Sequence, residues 1–259
     1  MGQWWQRVVL RQRPVPLELW AELCRRLPLL QGYEPAVRER LRELTSRFLA
    51  RKDIQGAGGL EITVPMRVLI AAQACIPILN LGLQWYRGWV SVLVYPDEFL
   101  ARHDFVDEAG VVHEGAHARI GESWSQGPVI LSWAHAEEDA WAGDCGNVVI
   151  HEFAHKLDLL NGYANGLPPL HRDMSRRAWT RAFTDAYEDF CERVESGEAV
   201  PFDEYAVEDP GEFFAVLSEA FFVMPRLVLK VYPEVYAQYR AFYRQDPAAC
   251  PTSSTAPEA

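Results

Sequence analysis

The stretch Asn147-Val148-Val149-Ile150-His151-Glu152-Phe153-Ala154-His155-Lys156-Leu157-Asp158-Leu159-Leu160-Asn161-Gly162 constrains the fold more than any other part of this chain. Val148, Val149, Phe153, Leu157 and Leu160 recur at helical spacing and form one apolar stripe. Asp144 or Asn147 can cap its start, and Asn161-Gly162 supplies the stop. On the helix so predicted, His151 and His155 stand one above the other on one face. Two imidazoles in that relation can close on a single zinc ion from one side. Glu152 lies one residue round from His151, placed to reach a metal-bound water without binding the metal tightly itself.

The same pattern occurs a second time, as His113-Glu114-Gly115-Ala116-His117, and context separates the two copies. Ala109-Gly110 reads as a turn, and Val111-Val112 opens a strand-like run. Gly115 between the histidines weakens a helix by about 1 kcal/mol. On a strand, His113 and His117 stand too far apart to share an ion as a helical pair does. They read as ordinary polar strand or loop residues.

The chain has 259 residues, 49% hydrophobic and 12% aromatic, enough for a sizeable core. A net charge of −11 excludes a general nucleic-acid binder, because phosphates are repelled. The five cysteines (Cys24, Cys75, Cys145, Cys191 and Cys250) are odd in number and form no C-x-x-C pair, which predicts reduced thiols in a cytoplasmic protein. The N-terminus lacks a secretory h-region. The run from Val68 to Leu83 is too short to span a membrane and is broken by Gln73, Pro77 and Asn80.

Periodicity predicts helices over 17–31, 34–51, 65–76 (continuing over 78–86), 174–194, 210–224 and 233–244. Strands are expected at Val90–Tyr95, over 110–120 and at Val129–Trp133. Residues 195–208 read as an acidic loop, and the tail from Gln245 as frayed. The fold class expected is α+β: a mostly helical single domain with a small sheet beside the histidine helix. Val129–Trp133 is either an edge strand that pairs with an extended peptide or a plain internal strand.

Zinc on two histidines needs a third protein ligand and one open position for water. The best source is Asp209-Pro210-Gly211-Glu212-Phe213-Phe214-Ala215-Val216-Leu217-Ser218-Glu219, a helix with Asp209 at its cap and Pro210 in its first position. Glu212 and Glu219 are two turns apart and share a face. Glu212 serves either as a ligand or as the partner in a capping box with Asp209. Glu219 is the next candidate, or else a buried carboxylate paired with an arginine or backbone donors. His171, in a loop, is a weaker one. Asp158 either orients an imidazole from behind or sits on the helix surface.

Taken together, His151-Glu152-Phe153-Ala154-His155-Lys156-Leu157-Asp158, then Tyr205, then Asp209-Pro210-x-Glu212-x-Phe214-Ala215-Val216-Leu217-Ser218-Glu219 resembles the Mlc titration factor A family of bacterial zinc peptidases. Ser123-Trp124-x-Gln126-Gly127-Pro128 and Leu81-Gly82-Leu83-x-Trp85 look like that family too, and the catalytic part is similar to the metalloprotease domain of anthrax lethal factor. The resemblance covers roughly residues 60–245. It implies a zincin-type, gluzincin-like site with one Zn2+ held by His151, His155 and Glu212. It implies Glu152 as general base and Tyr205 facing the reacting carbonyl, and it puts Glu212 above Glu219 as the third ligand. On the reading of the residues themselves, Asp158 and Glu219 then stand as supporting groups behind the ligands. It also implies aminopeptidase-like hydrolysis of short peptides and a possible partner in a glucose-responsive repressor, Mlc, which the name-giving member binds.

The resulting reading is one zinc peptidase domain over 1–245, with an N-terminal helical part (1–60) and a catalytic core (61–245), followed by a flexible tail (246–259). No nucleic-acid or membrane partner is expected. The rival is a regulatory binding module that sequesters a repressor, its zinc site structural or vestigial. Glu152 favours the enzyme, because a structural site has no use for a general base and usually closes with a fourth Cys or His.

Overall fold

The computed structural model describes residues 14–96, 127–142 and 146–249. α1 (Leu17–Arg26) buries Trp20, Leu23 and Cys24. The helix expected over 17–31 is broken, because Pro28 forces the preceding Leu27 into an extended conformation (φ −79°, ψ 110°). A single turn, α2 (Pro28–Gln31), follows, and then α3 (Pro35–Arg51), which buries Leu41, Leu44 and Phe48.

β1 (Asp53–Gly56) leads to α4 (Val64–Cys75), which is buried over nearly its whole length. The expected continuation over 78–86 does not form. Pro77 interrupts the run, Gly82 takes a left-handed φ of 84°, and a short 3-10 turn (Leu83–Tyr86) follows. β2 (Ser91–Tyr95) and β3 (Val129–Ser132) complete a parallel sheet of order β1-β2-β3, with Ile54 opposite Val92 and Val92 opposite Val129. Parallel neighbours need a crossover, and α4 lies between β1 and β2. The strand expected to reach Trp133 stops at Ser132, where α5 (Trp133–Ala142) begins.

The histidine helix is α6 (Val148–Asp158). Asn147 caps it, its side chain accepting the Ile150 N–H at 2.9 Å. A 3-10 turn (Leu159–Asn161) and Gly162 at φ 103° end it. α7 (Arg176–Glu195), a 3-10 turn (Glu204–Val207), α8 (Pro210–Val223), α9 (Pro225–Val231) and α10 (Pro233–Tyr243) follow. The last three each place proline in the first turn, where its missing N–H is no loss.

Two aromatic clusters seat the helices that matter for the site. Phe153, fully buried on α6, packs against Phe48, Tyr86 and Trp89 at centroid separations of 5.7, 5.1 and 5.5 Å. On α8, Phe214 faces Trp179 at 6.2 Å and Tyr239 at 5.7 Å, and Trp179 stacks on Phe183 at 4.4 Å. Lys156 is buried on α6, and its ammonium donates to the Gly127 carbonyl at 2.9 Å, tying the helix to the approach of β3.

The architecture is the α+β class expected, mostly helical with a small sheet. No helix among the described residues is long and apolar enough to cross a membrane. Cys24, Cys75 and Cys191 are free thiols. The second histidine pair, His113 and His117, the strand expected over 110–120, Cys145, Cys250 and the tail over 250–259 lie outside the described residues. Of the tail, Asp246 and Ala248 are hydrogen-bonded to the Tyr236 hydroxyl at 2.6 and 3.0 Å.

Phe153→Ala is expected to lower stability by about 3–5 kcal/mol, since it empties the centre of a dense aromatic cluster. Urea unfolding monitored by circular dichroism measures it.

Candidate metal centre

The N-terminus of α6 is braced from three directions. Val148 N–H donates to Asp139 Oδ2 on α5 at 2.8 Å. The Asn147 amide donates to Gln73 Oε1 on α4 at 2.6 Å, and Gln73 is fully buried. Asn147 N–H donates to Glu219 Oε2 on α8 at 2.5 Å. Gly146 permits this last contact, because a Cβ there would stand 2.5 Å from the same oxygen.

One turn further on, His151 and His155 face one another with their Nε2 atoms 3.1 Å apart. Glu212, from the first turn of α8, brings Oε2 to 3.1 Å from His151 Nε2 and 3.3 Å from His155 Nε2. Asp209 alone supplies the cap of that helix, accepting the Gly211 and Glu212 N–H groups at 2.7 and 3.0 Å, while the Glu212 carboxylate turns to the histidines. Glu219 Oε1 lies 2.5 Å from His151 Nδ1. A carboxylate only accepts, so this contact places the His151 proton on Nδ1 and leaves the Nε2 lone pair aimed at His155 and Glu212.

Three half-buried donor atoms therefore point at one place. Without a proton or a cation between them their lone pairs repel. Ligands bound tetrahedrally at about 2.1 Å stand about 3.4 Å from each other; the separations here are 3.1–3.3 Å. Two imidazoles and a carboxylate are also the donor set of a catalytic zinc site that keeps a position open. The electrostatics agree. Burial disfavours a charged His151, but Glu212 and Glu219 outweigh it and raise its proton affinity well above the ordinary value. Burial likewise opposes the charge on Glu212, and hydrogen bonds from His151 and His155 outweigh it, holding the carboxyl far below the usual range.

Glu152 is half-buried beside His151. Burial pushes Lys156 down to about 8, against the opposing charge of Glu152 one turn away. Tyr205 is 47% exposed, in the 3-10 turn before α8, and its ring lies 6.4 Å from that of His151. Asp203 Oδ1 accepts the Tyr205 N–H at 2.9 Å and fixes that turn.

One sequence candidate sits elsewhere: His171 donates from Nε2 to the Phe242 carbonyl at 2.8 Å and packs on Trp85 at 5.3 Å, away from the three donors. Asp158 is fully buried, so it is not on the helix surface; it lies within electrostatic reach of His155, and its Oδ2 accepts the Gly166 N–H at 2.7 Å. Gln73 and Gly146 also belong to the site's support, which the sequence did not signal beyond a glutamine among the apolar residues of α4; Asn147, legible as a cap, adds its side-chain link to Gln73.

An H-E-x-x-H helix, a glutamate brought onto the same point from a second helix, and a small sheet alongside define a metallopeptidase. The chain belongs to the family described as glucose-regulated metallo-peptidase M90, whose profile matches residues 1–244. It is similar to Mlc titration factor A from Yersinia enterocolitica serotype O:8 / biotype 1B, 37% identical over 237 residues that cover 90% of this chain and 87% of the relative. The protein of the same name from Yersinia pestis (strain Pestoides F) is also 37% identical, over 90% of this chain and 86% of its own. The resemblance to the Mlc titration factor A family read from the motifs is borne out.

Burial raises the Asp158 pKa to about 7, against the Gly166 hydrogen bond and the charge of His155. Its unfolded value is about 3.9. An acid held protonated by the fold contributes stability below the unfolded pKa and loses it as pH rises through the folded one. In the metal-free protein, Asp158→Asn is therefore expected to gain on the wild type between about pH 4 and pH 7, by up to about 4 kcal/mol, and to level off above. Urea midpoints across that range measure it.

Proposed function

We propose that this chain is a zinc-dependent metallopeptidase of gluzincin-like type, with His151, His155 and Glu212 holding one zinc ion. The convergence of their three donor atoms within 3.1–3.3 Å carries the reading. Zinc bound there supplies Lewis acidity, which lowers the pKa of water to about 7 and polarises a carbonyl.

The protein's own groups do the rest. Glu152 takes the proton of the attacking water and passes it to the leaving amine. The Tyr205 hydroxyl, at the exposed side of the site, donates to the oxyanion that develops on the carbonyl. Glu219 holds His151 in one tautomer and orientation from behind. Asp203, Glu204 and Glu208 are exposed in the segment that carries Tyr205, so negative charge accompanies that tyrosine along the chain. That charge favours a substrate that brings a free amino terminus, so the reading extends to aminopeptidase-like action on short peptides.

The name of the Yersinia relatives supports a second reading. Titration of Mlc implies contact with that protein, and this chain would then sequester an Mlc-like transcriptional repressor, with peptidase activity secondary. Undiminished repressor capture by Glu152→Gln would favour it.

Zinc content and peptidase activity on free and N-acetylated peptides decide the enzyme reading. Glu152→Gln is expected to keep zinc and lose activity about 10²–10⁴-fold. Glu212→Ala is expected to lose both, and Tyr205→Phe to keep zinc while activity falls about 10²-fold. Glu219→Ala is expected to weaken zinc binding about 10–100-fold. Full activity in Glu152→Gln sinks the mechanism, and normal zinc content in Glu212→Ala sinks the ligand set.

A further inference from the structure

Asp158 ends α6 three residues after His155. Its Oδ1 has no hydrogen-bond partner among the described residues, while Oδ2 accepts the Gly166 N–H at 2.7 Å and the neighbouring Asn165 and Leu167 N–H groups also favour the charged form. A buried carboxylate kept on such terms is costly and calls for an explanation. The loop it holds is fixed from other sides as well. The Gly166 carbonyl accepts the Trp179 indole N–H at 2.9 Å, and the Asn161 amide donates to the Leu167 carbonyl at 2.6 Å.

This loop lies directly on the first turn of α8. Gly166 sits at φ +72°, and a Cβ there would stand 2.5 Å from the Pro210 carbonyl oxygen and 3.6 Å from Phe214 Cβ. A Cβ on Gly211 would stand 3.1 Å from the Ala164 carbonyl. At Gly166 the two closest atoms are backbone, which gives little, while a Cβ on Gly211 would also meet the capping Asp209 Oδ1 at 3.0 Å; Glu212 follows directly after Gly211.

The geometry points to Asp158 and Gly166 as positioning residues for Glu212, acting through the loop as a rigid spacer between the two helices that carry the donor atoms. The inference rests on the reading that Glu212 is a metal ligand. α6 supplies both histidines and, at its end, Asp158. The Asp158–Gly166 hydrogen bond sets the loop, and the loop sets the height of the first turn of α8 above the histidines. A carbon and a carbonyl oxygen sit about 3.3 Å apart or more, so a methyl on Gly166 forces about 0.8 Å of movement. Metal–ligand distances tolerate about 0.2 Å.

The test is zinc affinity of the full chain, by competition with a chromophoric chelator, alongside urea stability of each metal-free protein. Gly166→Ala and Asp158→Ala are expected to weaken zinc binding at least about tenfold. Asp158→Asn, whose amide oxygen accepts the same N–H, is expected to stay within about threefold of the wild type. Leu41→Ala, which empties a buried site on α3, a helix that carries none of the donor residues, is expected to lose stability yet stay within about threefold in affinity. Wild-type affinity in Asp158→Ala and Gly166→Ala overturns the inference, as does an equal loss in Leu41→Ala. If Gly166→Ala does not fold, Asp158→Ala against Asp158→Asn decides alone. A wild type that holds no zinc overturns the metallopeptidase reading, a result distinct from these.

Discussion

The crowding of three lone pairs at one point is the constraint that the surrounding structure serves. His151, His155 and Glu212 stand at separations that repel one another until a cation fills the space between them. Holding them there takes most of the polar groups buried nearby. Gln73, Asp139 and Glu219 each send a side-chain acceptor to the start of α6, and Glu219 has a second oxygen for His151. Asp209 and the Gly166 loop fix the start of α8. Phe153, between the histidines in sequence, anchors the opposite face of the helix in an aromatic cluster. Preorganisation of this kind lets a site bind an ion without rearranging, so the cost of crowding is met during folding.

Much of this was legible in the sequence where local pattern and tertiary role coincide. The apolar stripe of α6, its cap at Asn147 and its stop at Gly162 are local signals, and they placed the helix to within a residue or two. Asp209-Pro210 announced α8 in the same way. What local pattern does not carry is partnership across elements. Glu212 had a local use as a capping-box partner and a distant one as a donor, and only packing shows Asp209 capping alone. Helical phase put Asp158 either beside the imidazoles or on the helix surface; its charge does feel His155, and its hydrogen bond to the Gly166 N–H comes from a loop whose path no periodicity describes. β1 has one buried apolar residue in four, so nothing alternates, and its strand character comes from pairing with β2. The break at Pro28 is a local signal too, but the apolar spacing on either side of it reads as one continuous helix.

Family membership and geometry bear on different claims. The match over residues 1–244 establishes that the chain is an M90 metallopeptidase. The distances say how this chain would hold an ion, and which groups stand close enough to work on a substrate. Among the described residues of the site, Tyr205 and the carboxylates next to it in sequence are the most exposed.

The central claim is that one ion sits among His151, His155 and Glu212. Crystals of the zinc-loaded full chain, with diffraction recorded on both sides of the zinc absorption edge, test it most directly. A single anomalous peak about 2.0–2.2 Å from both Nε2 atoms and a Glu212 oxygen is the result expected. A peak between His113 and His117, or one that Glu212 does not reach, would contradict it.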